Sequence, residues 1–231
     1  MTVNVGVLGG TFNPIHRGHL HIAKSVQSLF GLSRVYFVVS PSPPHKRADA
    51  LLPFAHRYAM TSLAVEKEIS FIPSMVEMEP EPSSYTIDTM DKLARLERQN
   101  PLFFIAGGDS LLEVASWRES KRLLAEYNFI FVKRRWDEPI DVEKCLPTDA
   151  FRRTRDLTGL ARAQIKKKIA GEPKGENRIY IVDVKAPDVS STKIRSLLAA
   201  KGGDYAIRRM LPPAVRIYIR KLNLYRQATN G

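Results

Sequence analysis

A glycine- and histidine-rich turn near the amino terminus constrains this chain more than any other stretch. Residues 9–20 read Gly-Gly-Thr-Phe-Asn-Pro-Ile-His-Arg-Gly-His-Leu. They follow a short apolar run, residues 3–8, that predicts a buried first strand. They lead into residues 20–30, which predict a helix that ends at Gly31. A strand that passes through such a turn into a helix is typical of α/β proteins.

The residue types in this turn favour a site for phosphate oxygens. Gly9 and Gly10 let the backbone turn and a ligand approach closely, and Gly18 does the same at the helix entrance. Free N–H groups at a helix start attract anions, and His16 and His19 add two imidazole donors there. A purely structural turn is the alternative. The spacing matches neither the Walker nor the dinucleotide pattern, and no third ligand stands nearby for a metal.

The same residues carry a family resemblance. His16-Arg17-Gly18-His19 resembles the Thr/His-x-Gly-His core of the nucleotidylyltransferase superfamily. The longer stretch is similar to the bacterial nicotinate-nucleotide adenylyltransferases, although Asn13 stands where that family often has aspartate. The resemblance implies that His16 and His19 are catalytic and bind the triphosphate and its developing charge. The other residues of the turn that it implies for ATP binding are Gly9, Gly10, Thr11, Phe12 and Gly18.

A stiff, proline-rich loop follows the second predicted strand. Residues 34–40 form a β-branched and aromatic run that predicts this strand, and Pro43-Pro44-His45-Lys46 comes after it. Ligands of open parallel sheets bind beyond the carboxyl ends of the strands, so the loop is expected beside the first turn. By residue type alone Lys46 is an exposed loop lysine. The resemblance implies instead a catalytic lysine that neutralises substrate phosphate.

Two further segments are expected to form the binding site for the second substrate. Ser84, Tyr85 and Thr86 open a helix that is predicted to run to about residue 99, and hydroxyl groups there can cap it. The segment is also similar to the family's Ser-Tyr-Thr-Ile-Asp-Thr, whose backbone lines the pyridine-nucleotide pocket. Trp117 resembles the tryptophan that stacks on the nicotinate ring. Arg118 follows as a possible charge-assisted donor or a solvated surface residue.

The remaining site residues follow two later predicted strands. Residues 102–106 predict a strand that ends at Gly107-Gly108-Asp109, and the resemblance implies that Gly107 and Asp109 contact ATP. Residues 179–184 predict the last strand, and a short helix follows to about residue 200. The hydroxyls at its start can cap it, and they resemble the superfamily's Ser-Ser-Thr-x-Ile-Arg signature. That signature implies phosphate binding by Ser190, Ser191 and Thr192, with Arg195 as a catalytic cation.

The length and the charge of the chain limit how it can be organised. Its 231 residues suit a single domain over residues 1–231, with a divergent basic insertion at about 133–178 and a helical part from about 191. Residues 1–132 carry equal numbers of acidic and basic side chains, so the net charge of +12 lies in the remainder. Solvated basic faces, attraction of polyphosphate and nucleic-acid binding are the open interpretations. No nucleic-acid motif accompanies the charge, and no apolar run is long enough for a membrane span.

These observations predict an α/β, Rossmann-like, doubly wound and mostly parallel sheet with a C-terminal helical extension. The resemblance implies adenylyl transfer from ATP to nicotinate mononucleotide, which gives deamido-NAD and pyrophosphate in NAD biosynthesis. Mg²⁺ is expected mainly on the ATP phosphates, with no protein metal site. Another mononucleotide adenylyl- or cytidylyltransferase, or a basic nucleic-acid-binding protein, stays open, as does homo-oligomerisation. The lone Cys145 and the absence of a signal pattern predict a cytoplasmic protein.

Overall fold

A parallel sheet forms the centre of the molecule. The computed structural model describes residues 2–41, 51–78, 83–134, 141–173, 175–200 and 204–226. Every strand pairing in the sheet is parallel, in the order β3-β2-β1-β4-β5-β7-β6. The strands are β1 (Val5–Gly10), β2 (Arg34–Val39), β3 (Phe71–Ser74), β4 (Leu102–Gly107), β5 (Asn128–Arg134), β6 (Thr154–Asp156) and β7 (Ile179–Val184).

Helices cover both faces of this sheet. One face packs against α1 (Arg17–Phe30), α2 (Phe54–Val65), α8 (Arg162–Ala170), α9 (Ser191–Ala199), α10 (Asp204–Met210) and α11 (Pro213–Lys221). The other face packs against α3 (Thr86–Glu97), α4 (Gly108–Glu113), α5 (Ser120–Glu126), α6 (Val142–Cys145) and α7 (Thr148–Arg152). The predicted doubly wound α/β fold with carboxyl-terminal helices is therefore confirmed. Within the described residues, no helix is long and apolar enough to cross a membrane.

The alternation of side chains along the first strand explains how the two cores form. Val5 and Val7 are fully buried on one face of the sheet, and Leu8 is buried on the other. Gly6 shares the face of Leu8, where an added Cβ would come within 2.8 Å of Leu32. Burial of both faces accounts for the apolar runs in the sequence, because a strand covered by helices on both faces of the sheet has no side that contacts solvent.

The ends of several elements differ from the sequence predictions. The first helix begins earlier than predicted, at Arg17, and ends as predicted at Gly31, whose backbone is left-handed at φ 62°. The sequence pattern predicts a helix over residues 54–68, whereas α2 ends at Val65. It also predicts a basic amphipathic helix over residues 157–170, whereas α8 begins only at Arg162. Ahead of it lies the short edge strand β6, which polar and basic residues had hidden from pattern analysis.

The strand order places a crevice at the middle of the sheet. From β1, the chain adds β2 and β3 on one side, and it adds β4 and β5 on the other. The loops after β1 and β4 therefore leave in opposite directions and open a crevice beyond the carboxyl ends of the strands. This is the edge to which the sequence assigned the glycine-rich turn.

Candidate functional site

A cavity of about 770 Å³ occupies this crevice. Its wall comes from the ends of β1, β4 and β5 and from the segment that joins β7 to α9. Of the predicted site residues, those that line it are Gly9, Gly10, Thr11, Phe12, His16, Gly18, His19, Gly107, Asp109, Trp117, Ser190, Ser191, Thr192 and Arg195. The fold thus brings the first and the last motif of the chain to one site, although they stand far apart in sequence.

Two glycines that flank the turn after β1 have neighbours that leave little room for a side chain. An added Cβ on Gly10 would lie 2.9 Å from the ring of Phe12, which itself has a left-handed φ of 46°. An added Cβ on Gly18 would lie 3.0 Å from both His16 Nδ1 and Val189 Cγ1. Gly18 therefore lets the His16 ring and the segment after β7 approach the helix start, a packing role that the sequence did not reveal.

The two histidines form a stacked pair at the start of α1. Their ring centroids are 3.7 Å apart at an angle of 21°, and the edge of Phe12 meets the His19 ring at 5.1 Å. The backbone N–H of His16 donates to Nδ1 of His19 at 3.2 Å. Because Nδ1 accepts this bond, the proton of His19 belongs on Nε2. His19 thus caps the helix with one ring nitrogen and offers a donor with the other.

The start of α9 is fastened to the turn after β1. Ser191 Oγ donates to the carbonyl of Pro14 at 2.9 Å, and Arg195 Nη1 donates to the carbonyl of Asn13 at 2.9 Å. Ser190 Oγ accepts from the backbone N–H of Lys193, which confirms the predicted cap of this helix. The guanidinium of Arg195 also contacts Thr192 Oγ1 at 3.3 Å. These polar groups therefore join the two motifs to each other as well as lining the cavity.

Asn13 receives a further contact from the carboxyl-terminal segment. Its Oδ1 accepts from the hydroxyl of Tyr225 at 2.8 Å and from the backbone N–H of Leu52 at 3.4 Å. Burial raises the pKa of the Tyr225 hydroxyl, which stays a neutral donor. The amide at position 13 is thus a junction of three segments. In the sequence, this asparagine stands out only as a departure from the family pattern.

The residues predicted for the second substrate lie in two neighbouring groups. Trp117 lines the cavity and meets the ring of Phe104 edge-on, with centroids 6.0 Å apart. Arg118 lies outside the cavity wall, where its guanidinium stacks over the Tyr85 ring at 4.9 Å and contacts Asp88 at 3.5 Å. Arg118 therefore connects the tryptophan to the start of α3, and it has partners rather than being only a solvated residue.

A buried carboxylate supports the start of α3. Glu77 is 6% exposed, and Thr89 Oγ1 donates to its Oε1 at 2.6 Å. Burial raises the pKa of Glu77, while hydrogen bonds from Thr89, Ser84 and Ser40 oppose that rise. Ser40 Oγ also donates to Ser84 Oγ at 2.7 Å. Ser84 thus links β2 to α3 instead of capping the helix, which begins after Tyr85.

The remaining predicted residues complete the inventory of the site. Asp109 lies in the first turn of α4, and its carboxylate folds back over Gly107, where an added Cβ would collide with Oδ1. Thr86 is the first residue of α3. The described residues contain no group of three His, Cys, Asp or Glu side chains that could hold a metal ion. Lys46 lies outside the described residues.

Comparison with known proteins gives a family match and full-length relatives. The model of the cytidylyltransferase-like family matches residues 7–197. A protein of a Thermoanaerobacter species, named probable nicotinate-nucleotide adenylyltransferase, is 34% identical over 226 residues, which are 97% of this chain and 95% of that protein. One from Pelobacter propionicus with the same name is 35% identical over 223 residues, 96% of this chain and 98% of that protein.

Solved structures agree with the fold. The nicotinic acid mononucleotide adenylyltransferase of Plasmodium falciparum, complexed with NaAD, matches with a TM-score of 0.70 at 20% identity. The match covers 96% of this chain and 97% of that one. A nicotinate-nucleotide adenylyltransferase structure from Vibrio parahaemolyticus matches with a TM-score of 0.59 at 16% identity, over 99% of this chain and 98% of that one.

Proposed function

This chain belongs to the nicotinate-nucleotide adenylyltransferases of the cytidylyltransferase-like family, and we propose that it transfers the adenylyl group of ATP to nicotinate mononucleotide. The products are deamido-NAD and pyrophosphate, in NAD biosynthesis. One observation carries the proposal. The turn after β1 and the start of α9 meet around one cavity, joined by Ser191 to Pro14 and Arg195 to Asn13.

The proposed reaction is a single displacement at the α-phosphorus of ATP. A phosphate oxygen of nicotinate mononucleotide forms a bond to that phosphorus, and the bond from it to the α–β bridging oxygen breaks. The attacking oxygen is already anionic, so no enzyme nucleophile is required. The protein's contribution is then alignment of the two phosphates and stabilisation of the charge that develops on the leaving pyrophosphate.

The described residues offer donors for that charge. His19 would donate from Nε2 because Nδ1 is engaged by the backbone, and His16 stacks on it to fix the ring. Arg195 and the helix start at Ser191 and Thr192 would hold the leaving pyrophosphate. Lys46, which the structure does not describe, is proposed from the sequence motif to neutralise phosphate between the substrates.

Magnesium is proposed on the ATP phosphates. Asp109 is the one acidic side chain among the described residues that line the cavity, and a single carboxylate suits an ion that keeps most of its waters. When bound, Mg²⁺ would neutralise part of the triphosphate charge. The phosphates would supply most of its ligands other than water, and Asp109 is the side chain that would contact its waters.

The acceptor is proposed to bind between Trp117 and the start of α3. The indole can stack on a pyridine ring, and backbone N–H groups near Thr86 and after Trp117 would favour the nicotinate carboxylate. Arg118, which contacts Tyr85, adds positive charge on that side. Donors alone would favour the acid over the amide of nicotinamide mononucleotide, because the amide NH₂ would face another donor.

A pyrophosphate-release assay tests the function. Purified protein is assayed with ATP or CTP as donor, against nicotinate mononucleotide, nicotinamide mononucleotide and phosphopantetheine as acceptors. We expect turnover with ATP and nicotinate mononucleotide, and its loss in His16→Ala. A higher kcat/KM with CTP or with another acceptor would reassign the substrates. Retention on DNA at physiological salt without pyrophosphate release would favour the nucleic-acid interpretation of the basic carboxyl-terminal half.

We also propose a cytoplasmic location, because the single Cys145 suits a reducing compartment and ATP is available there. The single-domain organisation and the basic insertion at 133–178 are retained as proposals. The described part of that region supplies the edge strand β6, with α6 and α7 on one face of the sheet and α8 on the other.

A further inference from the structure

We propose that Arg57 is a positioning residue for the triphosphate: it holds the turn after β1 and supplies a buried positive charge behind it. The inference rests on the proposed function. Arg57 lies in the apolar and alanine-rich stretch that predicts the second helix, and the sequence alone leaves open whether its side chain faces the site or solvent. It does neither, because the side chain is 1% exposed and lies beneath the turn.

The guanidinium ties three separate segments together through their backbone carbonyls. Nη1 donates to the carbonyl of Thr11 at 2.9 Å and to that of Ser40 at 2.6 Å. Nη2 donates to the carbonyl of Pro41 at 2.9 Å, and Nε donates to that of Leu52 at 2.8 Å. One side chain therefore fixes the turn after β1, the end of β2 and the entry to α2.

Only the arginine fork suits this arrangement. Its donors are planar and rigid, so three nitrogens can address four carbonyls that come from different directions. A lysine carries the same charge but concentrates its donors on one atom and reaches fewer of these carbonyls. Loss of the bonds would leave buried carbonyls without donors and release Thr11, which lines the cavity next to Phe12.

The charge of Arg57 is the second half of the inference. Burial lowers the pKa of Arg57 from an ordinary value of 12.5, but a guanidinium stays protonated near neutral pH. Among the described residues no carboxylate forms an ion pair with it. The ring of Phe54 lies 5.7 Å away and is neutral. The hydroxyl of Tyr225 also interacts with Arg57, and burial raises the pKa of that hydroxyl, so it too is neutral near neutral pH. A buried cation beside a phosphate-binding turn would attract an anionic triphosphate more strongly than a solvated one.

Two variants separate the two roles of Arg57, which are to fix the turn after β1 and to supply a buried positive charge. Arg57→Lys keeps the charge and loses the fork, so we expect ATP affinity within about threefold of wild type but a kcat at least about tenfold lower. Arg57→Met loses both. We expect its affinity for ATP to fall about tenfold or more and its kcat about a hundredfold. Its affinity for uncharged adenosine should hardly change.

The experiment is isothermal titration of each purified variant with ATP and with adenosine, together with steady-state kinetics. Arg178→Met is the matched control, since Arg178 is also buried, at 4% exposed, but it precedes β7, the strand next to the opposite edge of the sheet, and pairs with Glu172. It should lose stability while binding ATP normally. The stoichiometry of the titration gives the fraction of folded protein, and the shape of the curve gives the affinity of that folded protein for ATP. A merely structural role for Arg57 would lower the folded fraction without weakening this affinity.

Three results would overturn the proposal. The first is wild-type ATP affinity and kcat in a fully folded Arg57→Met variant. The second is an equal loss of ATP and adenosine affinity. The third, which decides the matter if the methionine variant does not fold, is wild-type kcat in Arg57→Lys. Should adenylyl transfer itself fail, the ATP and adenosine titrations still test the positioning role by themselves.

Discussion

The two ring nitrogens of His19 can be separated by two substitutions. Nδ1 accepts the backbone N–H of His16 at 3.2 Å, and Nε2 is then the nitrogen that can donate to a phosphate oxygen. Asparagine ends at the level of Nδ1 and can present an oxygen to that N–H. Glutamine reaches the level of Nε2 and can present a donor there. His19→Asn therefore keeps the helix cap, and His19→Gln keeps the phosphate donor.

The two substitutions are expected to affect different quantities, kcat in His19→Asn and stability in His19→Gln. Loss of a preorganised transition-state donor typically costs about 10²–10³ in kcat, so His19→Asn should show this fall with little change in KM. Loss of the cap costs about 1 kcal/mol, so His19→Gln should be less stable than His19→Asn by about that amount. Both variants lose the stacking on His16 and the contact with Phe12 equally, so the difference between them isolates the nitrogens.

The assay combines steady-state kinetics with urea unfolding. Pyrophosphate release gives kcat and KM for each variant, and the unfolding midpoint gives the free energy of unfolding. We expect the kcat of His19→Gln to exceed that of His19→Asn, and its stability to be lower. If His19→Asn turns over like wild type, or more slowly than wild type only through a raised KM, the assignment of Nε2 to the transition state is wrong.

Other side chains give independent predictions. Gly18→Ala should lower stability by about 1–3 kcal/mol and reduce kcat, because its Cβ would lie 3.0 Å from His16 Nδ1 and from Val189; thermal unfolding and turnover check this. Burial raises the pKa of Glu77 above its ordinary value of 4.5, so the native state keeps this proton to higher pH than the unfolded state does. The free energy of unfolding therefore falls as pH rises from the ordinary pKa through the raised native pKa. In urea unfolding between about pH 4 and pH 7, Glu77→Gln should lack this pH-dependent loss of stability. A pH dependence identical to that of the wild type would contradict the prediction. Arg118→Ala should reduce, without abolishing, the preference in kcat/KM for nicotinate over nicotinamide mononucleotide; an unchanged ratio would remove Arg118 from the specificity account.

Local sequence pattern was enough to predict much of the fold. Apolar runs such as residues 179–184 and the left-handed stop at Gly31 define strand and helix ends by physics that acts within a few residues. The strand β6 could not be predicted in this way, because its three residues are polar or charged and its stability comes from pairing with β7. Pairing across the chain leaves no local signature.

The site residues likewise fall into those that local sequence pattern predicts and those that it does not. The glycines and histidines of the turn could be assigned from their types, since few other residues suit a close phosphate contact. The packing of Gly18 on Val189, the contact of Tyr225 with Asn13 and the burial of Arg57 depend on segments brought together by folding. By pattern alone, an arginine inside a predicted helix can face either the site or solvent. Only its neighbours in space reveal that it fastens three loops.

The proposed function requires the transfer of an intact adenylyl group to nicotinate mononucleotide. The direct measurement uses ATP labelled at the α-phosphorus, incubated with the purified protein, Mg²⁺ and nicotinate mononucleotide, with separation of the products. We expect the label in deamido-NAD, formed in equal amount with unlabelled pyrophosphate. Label in pyrophosphate or in free AMP alone, or no dinucleotide from any pyridine mononucleotide, would contradict the proposed reaction.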